Sequence, residues 1–159
     1  MSKFITVLSD SHGFNENVKK LKGDFYSSDY IVHLGDGESD MRPYYNEFGD
    51  KLYGVTGNCD SLLGGIKQVI LDVESVKFLC VHGHYHGVKT SLLSLSDYAK
   101  KLGCDAVLYG HTHVPKISFL NEVLLLNPGT LSIYGEKLTY MQVKVDGKDI
   151  FPKIIELVK

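Results

Sequence analysis

The side chains best suited to chemistry in this 159-residue chain are acids and histidines that stand beside glycine. Five short stretches carry them: "SDSHG" with Asp10 and His12, "GD" with Asp36, "GNCD" with Asn58, "HGH" with His82, and "GHTH" with His111 and His113. Carboxylate, amide oxygen and imidazole all bind divalent metals. Together these residues offer two carboxylates, one amide oxygen and four imidazoles, whereas a single zinc ion takes about four ligands. If one carboxylate bridges, the set supplies four bonds to each of two ions, and water or substrate completes each shell. The pattern implies a two-metal centre in which His111 and His113 each reach a different ion. With nitrogen and oxygen donors and no thiolate among them, manganese, iron, nickel or zinc would suit it.

Something must bring these stretches together, and an apolar run precedes each one. "FITVLS" (4–9), "YIVHLG" (30–35) and "KLYGVTG" (51–57) read as strands rich in apolar and β-branched residues. Between them, 15–23 reads as a helix with Asn15 suited to capping and Gly23 as its stop, and 39–49 as a helix opening at Ser39 or Asp40. A hairpin over 66–73 and 76–83, turning at Glu74 and Ser75, runs into "HGH". A helix over 90–103, with Gly103 as terminator, leads to the strand 104–110 that delivers "GHTH". The remaining apolar segments read as antiparallel β, with Asp146-Gly147 marking one hairpin. Ligand sites in α/β folds collect outside the carboxyl ends of strands, which is where all five stretches fall. The expectation is one domain of mixed α/β class with helices packed outside sheet.

Composition narrows the functional classes. A formal charge of -2 provides no long-range field for nucleic acid or an anionic membrane. No apolar stretch approaches the roughly 20 residues that span a bilayer, and the N-terminus does not fit a signal peptide. Cys59, Cys80 and Cys104 are odd in number and form no CxxC, which suits a reducing compartment. A cytoplasmic protein acting on a small molecule is expected.

Taken in order, "DSH", "GD", "GNCD", "HGH" and "GHTH" resemble the motifs of the calcineurin-like metallophosphoesterase family, and "NPGTLS" (127–132) resembles a segment of its short YfcE-type phosphodiesterases. The resemblance implies a four-layer αββα sandwich, two mixed β-sheets flanked by helices. It implies one ion held by Asp10, His12, Asp36 and His113, a second held by Asp36, Asn58, His82 and His111, and manganese as the expected metal. It also implies hydrolysis of a phosphodiester by direct attack of a metal-activated hydroxide. Cys59 departs from the family, which carries histidine there to assist the leaving oxygen; a thiol is a poor substitute. His84 is then the candidate acid or an orienting residue, and Asp60 a candidate that orients neighbours. His33 and His86 read as structural or surface residues, and Asp40 stands one place off the family's usual second acid. A non-catalytic interaction scaffold on the same fold is the alternative, and a nuclease is disfavoured by the charge.

Overall fold

Alternation of side chains along the strands builds the molecule. In the computed structural model, which describes residues 1–60 and 65–159, strand β1 (Ser2–Leu8) points Ile5 and Val7 to one face and Leu8 to the other. β1 pairs in parallel with β2 (Tyr30–His33), which pairs in parallel with β3 (Leu52–Gly54). β9 (Leu138–Asp146) lies antiparallel on the other side of β1, and β10 (Asp149–Leu157) folds back on β9 through Gly147. The second sheet has the order β4-β5-β6-β8-β7, from Gln68–Val73, Val76–Val81, Ala106–Leu108, Val123–Asn127 and Lys116–Leu120 respectively. Its three central strands β5, β6 and β8 run parallel, and antiparallel β4 and β7 close its edges.

Three apolar layers hold the sheets and helices together. Between the sheets, Val7, Val32, Leu34 and Val143 pack with Phe78, Cys80, Leu108 and Leu126. Outside the first sheet, helices α1 (Asn15–Lys19), α2 (Lys22–Ser27) and α3 (Tyr45–Phe48) bury Val18, Phe25 and Phe48 with Leu8 and Ile31. Outside the second, α4 (Leu93–Lys101) lays Leu95 and Ala99 on Leu79, Val107 and Leu125. The order is helix, sheet, sheet, helix, the four-layer sandwich the resemblance implied. Most of these helices are too short to persist alone and exist because their apolar side is covered.

Several local expectations are corrected. Gly23 does not stop a helix; it lies inside α2, where burial of Phe25 outweighs the roughly 1 kcal/mol cost of glycine. Asn15 is the first residue of α1 and caps nothing; Phe14 holds the cap position without a side-chain bond. The segment expected as a helix over 39–49 is mostly a 3-10 turn, Glu38–Tyr44, before the single turn of α3. Pro43 within it has no N–H to donate and disfavours α backbone at Arg42. The C-terminal third is not wholly antiparallel, because β8 inserts between β7 and β6 and runs parallel to β6. The hairpin turn at Asn121 and Glu122, both at positive φ, carries none of the usual glycine and escapes a turn search.

Two phenylalanines separate core from edge. Phe78 is fully buried between the sheets and Phe119, on edge strand β7, is 73% exposed. Phe78→Ala is expected to cost about 3–5 kcal/mol in urea unfolding, and Phe119→Ala to stay within about 0.5 kcal/mol.

Candidate metal centre

Parallel strands β1, β2 and β3 in one sheet and β5 and β6 in the other deliver the five polar stretches to one rim. Backbone there leaves the strand conformation abruptly. Asp10, His12, Asp36, His111 and His113 all have φ between 46° and 73°, and they are five of the eight non-glycine residues in that region among the described residues. Asp and His tolerate left-handed backbone better than most side chains, and local strain of this kind concentrates at functional sites. Bonds between loops hold the turns: Asp10 N–H donates to Gly35 O at 2.9 Å, His12 N–H to Asp36 O at 3.0 Å, and Gly110 N–H to His82 O at 2.9 Å. Glycine is required where the loops touch. A Cβ at Gly35 would stand 2.7 Å from Gly57 N and 2.8 Å from His82 Nδ1, and one at Gly57 would overlap the Asp36 carboxylate.

The donor atoms converge in two sets. Asp10, His12 and His113 offer atoms within 4.8 Å of one another, and so do Asp36, His82 and His111. His113 Nε2 is 3.1 Å and His12 Nε2 3.6 Å from Asp10 Oδ1. His82 Nε2 is 3.2 Å from Asp36 Oδ2, 2.9 Å from Asn58 Oδ1 and 3.2 Å from His111 Nδ1. Asp36 Oδ2 also lies 3.8 Å from His12 Nε2, which places it between the sets. Asp10 Oδ1 is buried and accepts no aligned hydrogen bond, despite the imidazoles beside it. Nitrogen and oxygen atoms crowded about one region, with the buried Asp10 Oδ1 left without a partner, are what ligands of a common cation present. The residues fit a divalent metal.

Electrostatics agree. Burial pushes the Asp10 and Asp36 carboxyls up, but His113 and His12 around Asp10, and His82 and the Cys59 N–H around Asp36, outweigh it, and both lie below the usual range. Burial pulls His82 down, yet its contact with Asp36 and the two acid charges raise it; the Asp10 carboxylate beside His12 raises that ring. The site thus draws positive charge to itself. His111 goes the other way, to about 4, through burial, His82 and Lys89. His82 Nδ1 donates to Leu34 O at 2.8 Å, which turns Nε2 towards the donors.

A second layer fixes the ligand loops. Gly35 N–H donates to His33 Nδ1 at 3.1 Å, so His33 Nε2 carries the proton and donates to Ser11 Oγ at 2.9 Å, which in turn donates to Asp40 Oδ2 at 2.6 Å. Asp40 also accepts Gly13 N–H at 2.9 Å. Asp10 Oδ2 accepts the Ser9 hydroxyl and the His111 N–H, leaving Oδ1 to the centre. In the "NPGT" segment, Asn127 donates to Gly110 O at 3.2 Å and Thr130 to Asp10 O at 2.7 Å. Both oxygens of Asp60 are taken by backbone: Asp36, Gly57, Gly37 and Glu38 N–H groups all donate to it.

All seven expected donors therefore face one region. His84 lies at its border, its ring 6.1 Å from that of His111 and stacked on Tyr85 at 4.0 Å; burial and His82 lower its pKa. His33 is buried and structural, and His86 packs on Tyr98 away from the donors. Cys59, whose motif in the sequence suggests only a missing histidine, groups its Sγ with His12 and Asp36. Ser11 and Asp40 were missed as braces, since a hydroxyl one residue from a ligand has no sequence signature of its own.

The profile of the calcineurin-like phosphoesterase superfamily domain matches residues 4–148. The probable metallophosphoesterase YsnB of Bacillus subtilis (strain 168) is 34% identical over 132 residues, covering 81% of this chain and 75% of that protein. A conserved protein of Streptococcus pneumoniae TIGR4, described as a predicted phosphoesterase, superposes with a TM-score of 0.82 at 27% identity, covering 98% of this chain and 90% of that one. Zinc-complexed Vps29 of Entamoeba histolytica shares the fold at a TM-score of 0.76 and 15% identity, over 96% of this chain and 98% of its own. A profile that spans nearly the whole chain, together with a relative of this identity and coverage, shows that the chain belongs to the calcineurin-like phosphoesterase superfamily.

Proposed function

We propose that this chain is a binuclear phosphodiesterase that hydrolyses a small phosphoester in the cytoplasm, with manganese as its expected metal. The observation that carries the reading is Asp36 Oδ2, within 4 Å of both His12 and His82 and so common to both donor sets. Asp10, His12, Asp36 and His113 would hold one ion, and Asp36, Asn58, His82 and His111 the other. Bound there, divalent ions supply charge for the phosphoryl oxygens and bring the pKa of a water towards ~7. Nitrogen and oxygen donors suit manganese, with iron, nickel and zinc as competitors. Three free cysteines suit a reducing compartment, and among the described residues no helix is long and apolar enough to cross a membrane.

The protein's own groups divide the work. Asp10 and Asp36 keep one oxygen each for the centre because backbone N–H groups of His111 and Cys59 occupy the other. Asp60, with both oxygens on backbone N–H groups, positions the Asp36 loop and takes no part in proton transfer. Burial and His82 lower the His84 pKa, and the ring borders the donors, so it serves as a hydrogen-bonding group for substrate more readily than as an acid. Burial and Asp36 push the Cys59 thiol up, which leaves it a weak proton donor where the family carries histidine. The exposed side of the site, at Asn58 and Cys59, admits a small substrate. A scaffold role on the same fold is the competing reading, and turnover separates the two, because metal binding alone is compatible with either.

Three measurements test this. Metal-free protein titrated with manganese is expected to bind two ions per chain and gain phosphodiesterase activity; Asp36→Asn is expected to lose the second ion and the activity together, and retained turnover with both ions gone would refute the mechanism. Across aryl and alkyl phosphodiesters, rates are expected to rise steeply as leaving-group pKa falls, and a flat dependence would contradict the lack of a strong acid. Asp60→Asn turns one acceptor into a donor facing N–H groups. It is expected to lower unfolding free energy by about 2 kcal/mol and weaken manganese binding by about tenfold, read by thermal denaturation and metal titration.

A further inference from the structure

Besides the two donor sets, a third group of potential ligands is built into the rim. The Cys59 Sγ and the donor atoms of His12 and Asp36 lie within 4.8 Å of one another. His12 and Asp36 are shared with the other sets, so the sulfur stands at the junction of the centre. Its place is fixed: Cys59 N–H donates to Asp36 Oδ1 at 2.7 Å, and the Asn58 amide nitrogen points to Sγ at 3.6 Å while its oxygen faces His82. The group adjoins the neighbouring donor set through His12, whose Nε2 lies 3.6 Å from the buried Asp10 Oδ1, an atom without an aligned partner. Cys80 and Cys104 are buried in separate apolar layers and cannot compete for an ion at this rim.

We propose that Cys59 is a metal-discriminating ligand: a thiophilic divalent cation in this centre recruits its sulfur, and a hard cation leaves it free. Ligand softness supplies the reason, because thiolate favours zinc and its like whereas manganese prefers oxygen and nitrogen. The step is an exchange in which the S–H proton leaves to solvent and a sulfur–metal bond forms. Cys59 is exposed, on the side from which substrate would approach. Sulfur bound there would stand on that exposed side, so a zinc-loaded protein would be closed to phosphoester and a manganese-loaded one open. The inference rests on the reading of the site as a divalent-metal centre.

Cobalt(II) tests it spectroscopically, without reference to activity. Metal-free protein, titrated with cobalt(II) under anaerobic conditions, is expected to develop a near-ultraviolet sulfur-to-cobalt charge-transfer band along with visible d–d bands. C59S, which keeps Cys80 and Cys104, is expected to retain the d–d bands and lose the charge-transfer band. Calorimetric titration is expected to show zinc binding weakened by about tenfold in C59S, with the manganese stoichiometry unchanged. A wild-type protein that binds manganese but shows no charge-transfer band, or a band that survives in C59S, would overturn the role of Cys59 alone. If neither cobalt nor manganese binds the wild type, the metal centre itself falls, and this inference with it.

Discussion

Two buried carboxylates set the terms for the rest of the structure. Asp10 and Asp36 are at most 3% exposed, and each turns an oxygen towards imidazole nitrogens and not towards solvent. An ionised carboxylate taken out of water costs several kcal/mol unless positive charge meets it. The upward shifts of His12 and His82 follow from that demand, since the acids beside them favour positive charge on those rings. A divalent ion would answer the same field more fully. The buried acids thus make an electrostatic well at the rim, and the fold keeps that well deep.

Keeping it deep demands strained backbone. Five candidate ligand residues sit in the left-handed region, where a non-glycine residue is held only if its surroundings over-determine it. Here they do. Loop-to-loop bonds tie Asp10 to Gly35 and His12 to Asp36, Asp60 gathers the N–H groups of 36–38 and 57, and the His33–Ser11–Asp40 chain ties β2 to the Asp10 loop. Most of these partners come from the ends of other strands. The αββα sandwich supplies them because both sheets place parallel central strands with their carboxyl ends on the same rim.

How much of this was legible beforehand depends on the range of each interaction. That the seven candidate donors would converge could be read because each strand end repeats one local theme, an acid, amide or histidine next to glycine. The four layers were not in the pattern of apolar residues, which cannot distinguish one sheet from two; they came with the family resemblance. Local readings failed where packing overrode propensity, as at Gly23 under the buried Phe25, or where the backbone lacked a donor, as at Pro43. Asp40 and Ser11 were unreadable as braces because their bond spans 29 residues and depends on two loops meeting. Cys59 was read only for what it lacks, although the same side chain, seen in place, adds sulfur to the set of donors.

The placement of the donors has a mechanical consequence. Asp10, His12, Asp36 and Asn58 follow strands of the first sheet, whereas His82, His111 and His113 follow strands of the second. Apolar packing between the sheets is non-directional and tolerates sliding, but the rim is cross-tied by His82 to Leu34 O and by His111 N–H to Asp10. A cation shared by ligands from both sheets adds a directional tie at the same place. Any ligand that binds only the folded state stabilises it in proportion to its occupancy. The metal would therefore hold the two halves of the sandwich in register while serving chemistry, and a small displacement between the sheets would reach the site first as a change in the distance between Asp36 and His82.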